Sequence, residues 1–406
     1  MAGPVSQIHL SWAQDPSTSL TVVWHAPSAG DGALLEYRVV GSRAWRRVSG
    51  STRPSPAKGM LHEVTITGLV PDTGYEYRVA SGDGASGASS PAFETRTAPR
   101  AGPADFRFAF ICDTGLIGRL DGNATGTKQI IGELVCDRPL FILGGGDYAY
   151  ANADGRFEDY ADAIDAWFVQ MQPMIARFPF MAQYGNHEVA LPERFIDWAP
   201  RFAHPEGSEE GRNYSFEVGD VHFTALYVPE PPLGADRLAW LEDDLAQARR
   251  RGLRWLVVYQ HEPVYGHGHS HPARPELRGL LAPIFERHRV DLHLSGHDQN
   301  YERTYPLLGV PDRPAPASTS RDTYEAGGGV VYAKVSPSGK MSEKRNDFSR
   351  FTTEQQPFMA FRDDTAHHYA LITARAAGEL VVEVYSVVGD DTPKALIDRF
   401  RVVAPK

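Results

Sequence analysis

Cysteine is scarce in this chain, with 2 in 406 residues. That excludes a disulfide-stapled scaffold, because two cysteines form at most one bridge, and two unpaired thiols suit a reducing compartment. Long apolar runs are missing as well, and none approaches the ~18 residues of a membrane-crossing helix. Basic charge is short: 41 Lys+Arg stand against 51 Asp+Glu, a net charge of -10. Such a balance argues against nucleic acid or an anionic membrane as the main partner. The opening residues Met1-Ala2-Gly3-Pro4-Val5 hold no basic stretch leading into an apolar one, so a cytoplasmic location is expected, or secretion if a leader has been trimmed. What is present is 42% hydrophobic residue, enough to exclude disorder. At ~100–200 residues per domain the length predicts two domains. Histidine stands out, since seven of fifteen fall between His261 and His297.

The first hundred residues read as all-β. Short alternating apolar runs recur at Gln7–Trp12, Leu20–His25, Leu35–Val40, Leu61–Thr67, Tyr75–Ala80 and Ala92–Thr97, without a 3.6-residue period. The segment from Leu69 to Val79, with Pro71-Asp72-Thr73-Gly74-Tyr75 at its centre, resembles the tyrosine corner of a fibronectin type III sandwich. Ala98–Pro103 has linker composition, which divides a domain over 1–99 from one over 104–406. Beyond it, apolar strands such as Phe106–Ile111, Leu140–Leu143, Trp255–Tyr259 and Val290–Leu294 alternate with helices predicted over Arg156–Arg177 and Asp236–Arg251. That pattern predicts an α/β domain with a mixed sheet. Pro311–Gly328 and Ser336–Gln356 read as irregular loops.

Five of these strands end in residues that can ligate metals: Cys112-Asp113-Thr114-Gly115; Gly146-Asp147-Tyr148-Ala149-Tyr150; Gly185-Asn186-His187-Glu188; Tyr259-Gln260-His261; and Gly296-His297-Asp298-Gln299. Carboxyl ends of strands are where α/β proteins place their sites. A mixture of carboxylate, amide, imidazole and phenol suits a pair of hard-to-borderline cations better than a thiolate site does. In this order the blocks resemble the five-block signature of metallophosphoesterases, and Tyr150 is similar to the tyrosine of purple acid phosphatases. The resemblance implies an αββα four-layer calcineurin-like catalytic domain behind the sandwich.

It also implies roles. Asp113 would ligate a first metal together with Tyr150, and Asp147 would bridge two metals. Asn186, His261 and His297 would complete the second site. The metals would be iron with zinc, manganese or iron, and the substrate a small phosphate ester. His187 would be a general acid or phosphate clamp, and the family spacing of a substrate-contacting histidine falls on His271, with His269 and His267 close by. Two positions depart from the pattern. Cys112 stands where the family has Gly, and Gln299 where it has a second His ligating the first metal. An amide oxygen donates more weakly than imidazole, so the first site is expected to bind metal less tightly, to prefer a harder ion or to stay partly vacant.

Three readings are therefore open: a dinuclear phosphoesterase, a tailoring hydrolase with altered metal chemistry, and a weakly active metal-binding interaction protein. Retention of Asp113, Tyr150 and His187 favours an active enzyme. Other features carry blander readings. Asp113-Thr114-Gly115 also spells an aspartic-protease triplet, a reading given little weight because such enzymes need two carboxylates sharing a proton and the other copy, Asp72-Thr73-Gly74, belongs to the tyrosine-corner segment. Gly219-Asp220 fits a hairpin turn. His222 and His293 are expected to be structural, and His9, His25 and His62 to lie on the surface of the sandwich.

Overall fold

The computed structural model describes residues 5–405 other than 31, 82–88, 190–191, 206–210, 229–232, 310–311, 343–346 and 391. The six expected N-terminal strands form within two residues of their predicted limits. They build two four-stranded antiparallel sheets, one ordered Ser6–Ser11, Leu20–Ala26, Met60–Ile66, Ser51–Pro54, the other Arg46–Ser49, Ala33–Val39, Gly74–Ser81, Phe93–Arg96. Alternation puts Leu10, Val22, Trp24, Leu35, Val64, Tyr77 and Val79 in the core between them. The tyrosine corner closes as expected, with the Val70 N–H donating to the Tyr75 hydroxyl at 2.8 Å. Arg46–Ser49 and Ser51–Pro54 were not predicted. They are half to fully exposed edge strands of polar residues, so no apolar alternation marks them.

The larger part of the chain is an αββα sandwich. One seven-stranded sheet runs Phe180–Ala182, Phe141–Gly144, Phe106–Ile111, His367–Arg375, Glu379–Val387, Ala395–Val403, Thr323–Glu325. The other runs Tyr214–Val218, Val221–Ala225, Trp255–Tyr259, Leu292–Ser295, Val331–Val335, Tyr301–Thr304, Met359–Asp363. Parallel pairs join the strands that lead into the five blocks, and a mixture of parallel and antiparallel pairs completes the sheets. Strand periodicity sorts the side chains into layers. Phe108 and Phe110 meet Phe223, Val257 and Leu294 between the sheets. Ala109 and Ile111 face the helices Thr127–Asp137 and Tyr160–Ile175, and Leu256 and Val258 face Ala235–Arg250 and Pro275–Arg287.

Several expectations need adjusting. Pro311–Gly328 holds two short strands, Ala315–Pro316 and Thr323–Glu325; Pro311 and residues 343–346 lie outside the described residues. His9 and His62 are buried, not on the surface, at 1% and 0% exposure. His62 stacks on Trp24 and bonds Thr52 Oγ1. His9 lies in the seam between the N-terminal sandwich and the larger αββα part, with Nδ1 2.7 Å from the Gln7 carbonyl and Nε2 2.6 Å from the Arg201 carbonyl. His25 is half-buried on the Lys58 carbonyl. Cys112 and Cys136 are both free thiols, the first buried and the second exposed. Among the described residues, no helix is long and apolar enough to cross a membrane.

Candidate metal centre

The five strand ends converge. Asp113, Asp147, Tyr150, His261 and Gln299 are buried, at 0–3% exposure, while Asn186, His187 and His297 are half-buried at the rim. Drawing these loops together takes unusual backbone. Asp113, Asp147, Tyr150 and His297 all have positive φ, at 57°, 54°, 51° and 73°. Non-glycine residues seldom adopt that region, and such conformers cluster at functional sites. Two glycines permit the approach: a Cβ on Gly185 would lie 2.2 Å from Asp147 Oδ1, and one on Gly296 would lie 2.0 Å from Cys112 Sγ.

His261 Nδ1 is 2.9 Å from the Gly145 carbonyl, which only accepts, so Nδ1 carries the proton. In a neutral ring Nε2 is then a lone pair, yet it faces Asp147 Oδ2 at 3.1 Å. Two acceptors hold that distance only around a cation, either a proton or a metal ion. Asn186 Oδ1 at 3.1 Å and His297 Nδ1 at 3.0 Å complete a four-atom cluster about the same point. Burial opposes charge on His261, but the Asp147 carboxylate outweighs it and raises the imidazole to about 10. Burial would raise Asp147 too, and His261 and His187 hold it far below the usual carboxylate range. His297 is pushed well down by burial and by the His261 and His271 rings. In the metal-free protein the proton on His261 thus stands where a cation would sit. Two nitrogens and two oxygens are a fitting donor set for a borderline divalent ion.

Beside this cluster lies a second. Asp113 Oδ1 accepts from the Tyr150 hydroxyl at 2.8 Å and from Gln299 Nε2 at 3.3 Å. Its Oδ2 accepts from the His297 N–H at 2.9 Å and Ser336 Oγ at 2.8 Å. Gln299 Oε1 is buried and has no hydrogen-bond partner among the described residues, an arrangement that costs about 1–3 kcal/mol. Turning the amide by half a rotation would bring that oxygen toward Asp113 and Tyr150, where a cation would satisfy it. Burial, together with the Asp113 and Asp147 carboxylates, pushes the Tyr150 phenol well above its ordinary value, so without a cation it remains a donor.

The remaining candidates surround the clusters. His187 donates its backbone N–H to Asp147 Oδ1 at 2.9 Å, its Nδ1 is 2.6 Å from Asn152 Oδ1, and its ring lies 4.2 Å from that of Tyr150. The His271 ring packs tilted against that of His297, with centroids 4.3 Å apart. His269 is exposed, its backbone tied to the Arg350 carbonyl.

Residues 5–97 match the model of the purple acid phosphatase N-terminal domain and residues 106–301 that of the calcineurin-like phosphoesterases. The chain is 30% identical to purple acid phosphatase 23 of Arabidopsis thaliana over 322 residues, 71% of this chain and 67% of that protein. The chain belongs to the purple acid phosphatase family. It is accordingly a metal-dependent phosphoric ester hydrolase. An uncharacterised Mycobacterium tuberculosis protein is 27% identical over 100% of this chain and 88% of its own length. Purple acid phosphatase PPD1 from yellow lupin seeds shares the fold, with a TM-score of 0.83 at 18% identity over 99% of this chain and 74% of that one.

Several residues that support this purple acid phosphatase site are not among the candidates that the sequence offered. Glu188 accepts from the backbone N–H groups of Asp147, Tyr148 and Gly185 at 2.7, 2.8 and 2.8 Å, so it staples two of the loops together. Burial and the Asp147 charge raise it to about 8. Lys340, from a segment read as an irregular loop, sets its ammonium 4.0 Å over the Tyr150 ring. Glu188 stood inside a recognised block and could have been suspected; Lys340, Asn152 and Ser336 could not.

Proposed function

We propose that this member of the family hydrolyses a small phosphate mono- or diester with two metal ions. Asp147, Asn186, His261 and His297 would hold the second ion; Asp113, Asp147, Tyr150 and Gln299 would hold an atypical first. The carrying observation is the cluster about His261 Nε2, with Asp147 Oδ2 at 3.1 Å, Asn186 Oδ1 at 3.1 Å and His297 Nδ1 at 3.0 Å. When bound, such ions acidify water and neutralise phosphate oxygens. The protein supplies the rest. His187, oriented by Asn152, stands at the rim to hold the phosphate or protonate the leaving group, and His271, packed against His297, would also engage the phosphate. The net charge of -10 disfavours polyanionic substrates.

Metal analysis and a phosphomono- and diester panel with iron, manganese and zinc supplied separately test this reading. Close to two ions per chain with hydrolysis in the panel supports it, and one ion or fewer sinks the dinuclear form. That second outcome has its own support, because both Asp113 oxygens already take protein donors. Gln299→His should then tighten first-site metal and raise hydrolysis of a generic ester. If neither changes, position 299 is not a ligand.

A further inference from the structure

Behind the metal-facing side of the Gly296-His297-Asp298-Gln299 block lies a buried ionic group that the proposed reaction does not use. Lys334 is 1% exposed, and its Nζ lies 2.9 Å from Asp298 Oδ2 and 2.9 Å from Glu302 Oε2. Asp298 and Glu302 are 0% and 1% exposed. Ion pairs this deep contribute little to stability against apolar replacements, so what their other lone pairs hold becomes the informative question. Asp298 Oδ1 accepts the His271 N–H at 3.1 Å and the Ser349 hydroxyl. Glu302 Oε2 accepts the His267 N–H at 2.6 Å. The two carboxylates thus hold the 266–273 loop at two amides four residues apart. Between them the loop lies against the group, since a Cβ on Gly268 would come within 2.1 Å of Asp298 Oδ2 and 2.2 Å of Asn300 Nδ2. Ser349 extends the attachment. Its N–H donates to the Gln299 carbonyl at 2.9 Å, and its carbonyl accepts from Asn300 Nδ2 at 2.7 Å.

We propose that Asp298, clamped with Glu302 on the Lys334 ammonium, is a positioning residue that seats the 266–273 loop and thereby fixes His271 against His297. One side chain between two candidate metal-binding positions then ties the substrate-facing loop to the metal centre. The role of His271 rests on the function proposed above, while the seating of its loop does not.

The test uses the full chain loaded with metal and compares Asp298→Asn, Lys334→Met and Gly268→Ala with the wild type. Asn keeps the shape of Asp298 and loses the charge; Gly268→Ala keeps every charge and lifts the loop. Two readouts are needed. Hydrogen exchange of peptides covering 262–274 should quicken by ~10-fold or more in each variant, with the sandwich peptides unchanged. KM for p-nitrophenyl phosphate should rise by ~10-fold at unchanged metal content, the lower end of what outer supporting residues usually cost. Exchange that stays at the wild-type rate, that quickens equally over the whole chain, or a KM unmoved in all three variants overturns the proposal. If the wild type hydrolyses no ester, the function above fails, and the exchange result alone decides the seating of the loop.

Discussion

Gly296 shows how little room the site leaves. A methyl group there would meet Cys112 Sγ at 2.0 Å and Asp113 Oδ2 at 2.6 Å, both on a strand end that cannot shift without moving Asp113. Gly296→Ala should therefore lower metal affinity by ~10–100-fold, read by titrating metal into stripped protein, with little change in secondary structure. At this scale the sequence displays those residues whose chemistry is rare at a strand end: Asp113, Asp147, Asn186, His261 and His297 are brought together in three dimensions much as their order suggested. It hides the residues that act through ordinary hydrogen bonds across long separations. Ser336 reaches Asp113 from 223 positions away, and nothing around Ser336 distinguishes it from a loop serine.

Elements divide along the same physical line. Strands with one or both faces buried were legible from their apolar runs, and the corner at Tyr75 from its local pattern. Tyr75→Phe leaves the Val70 N–H without its acceptor and should cost about 1 kcal/mol, measured as a shift of the urea midpoint at constant m-value. An unchanged midpoint would show that water replaces the bond. The helices Thr127–Asp137 and Pro275–Arg287 escaped notice because each buries only a short run of side chains, four in the first and five in the second, and carries helix-disfavouring residues, Gly132 in the first and Gly279 and the internal Pro283 in the second. The strands Tyr301–Thr304 and Met359–Asp363 were hidden by charge. Glu302 and Arg303 are buried in the first through ion pairs with Lys334 and Asp398, which no hydrophobic pattern anticipates.

For the molecule as a whole, buried imidazoles and paired carboxylates together set the acid limit of stability: against burial, Lys334 holds Glu302 and the His368 ring holds Asp363 down to about 2, and each carboxylate loses that stabilisation as pH falls below about 4. Burial lowers His293 to about 3, and burial with the neighbouring His368 does the same for His367. The unfolded chain takes up these protons near pH ~6.5, so stability falls as pH drops from there to about 3. Two raised acids, Glu188 at about 8 and Asp291 at about 6, are held up chiefly by burial and gain protons first in the folded state. They offset the loss until both states are protonated, below pH ~4.5. His261, raised in the metal-free protein, is charged in both states throughout this range. Urea midpoints of metal-free protein should hence drop most steeply between about pH 4.5 and 3, at up to ~1.4 kcal/mol per pH unit for each imidazole. A flat profile there would contradict the burial of these rings. The sandwich belongs to the same whole. Its His9 rests on Phe168, with ring centroids 4.6 Å apart, and the adjacent Trp167 donates its indole N–H at 3.0 Å to Thr114, the residue after Asp113. Two consecutive residues of one helix therefore span the distance from the N-terminal domain to the strand end bearing Asp113, which makes the sandwich a buttress for that end of the site.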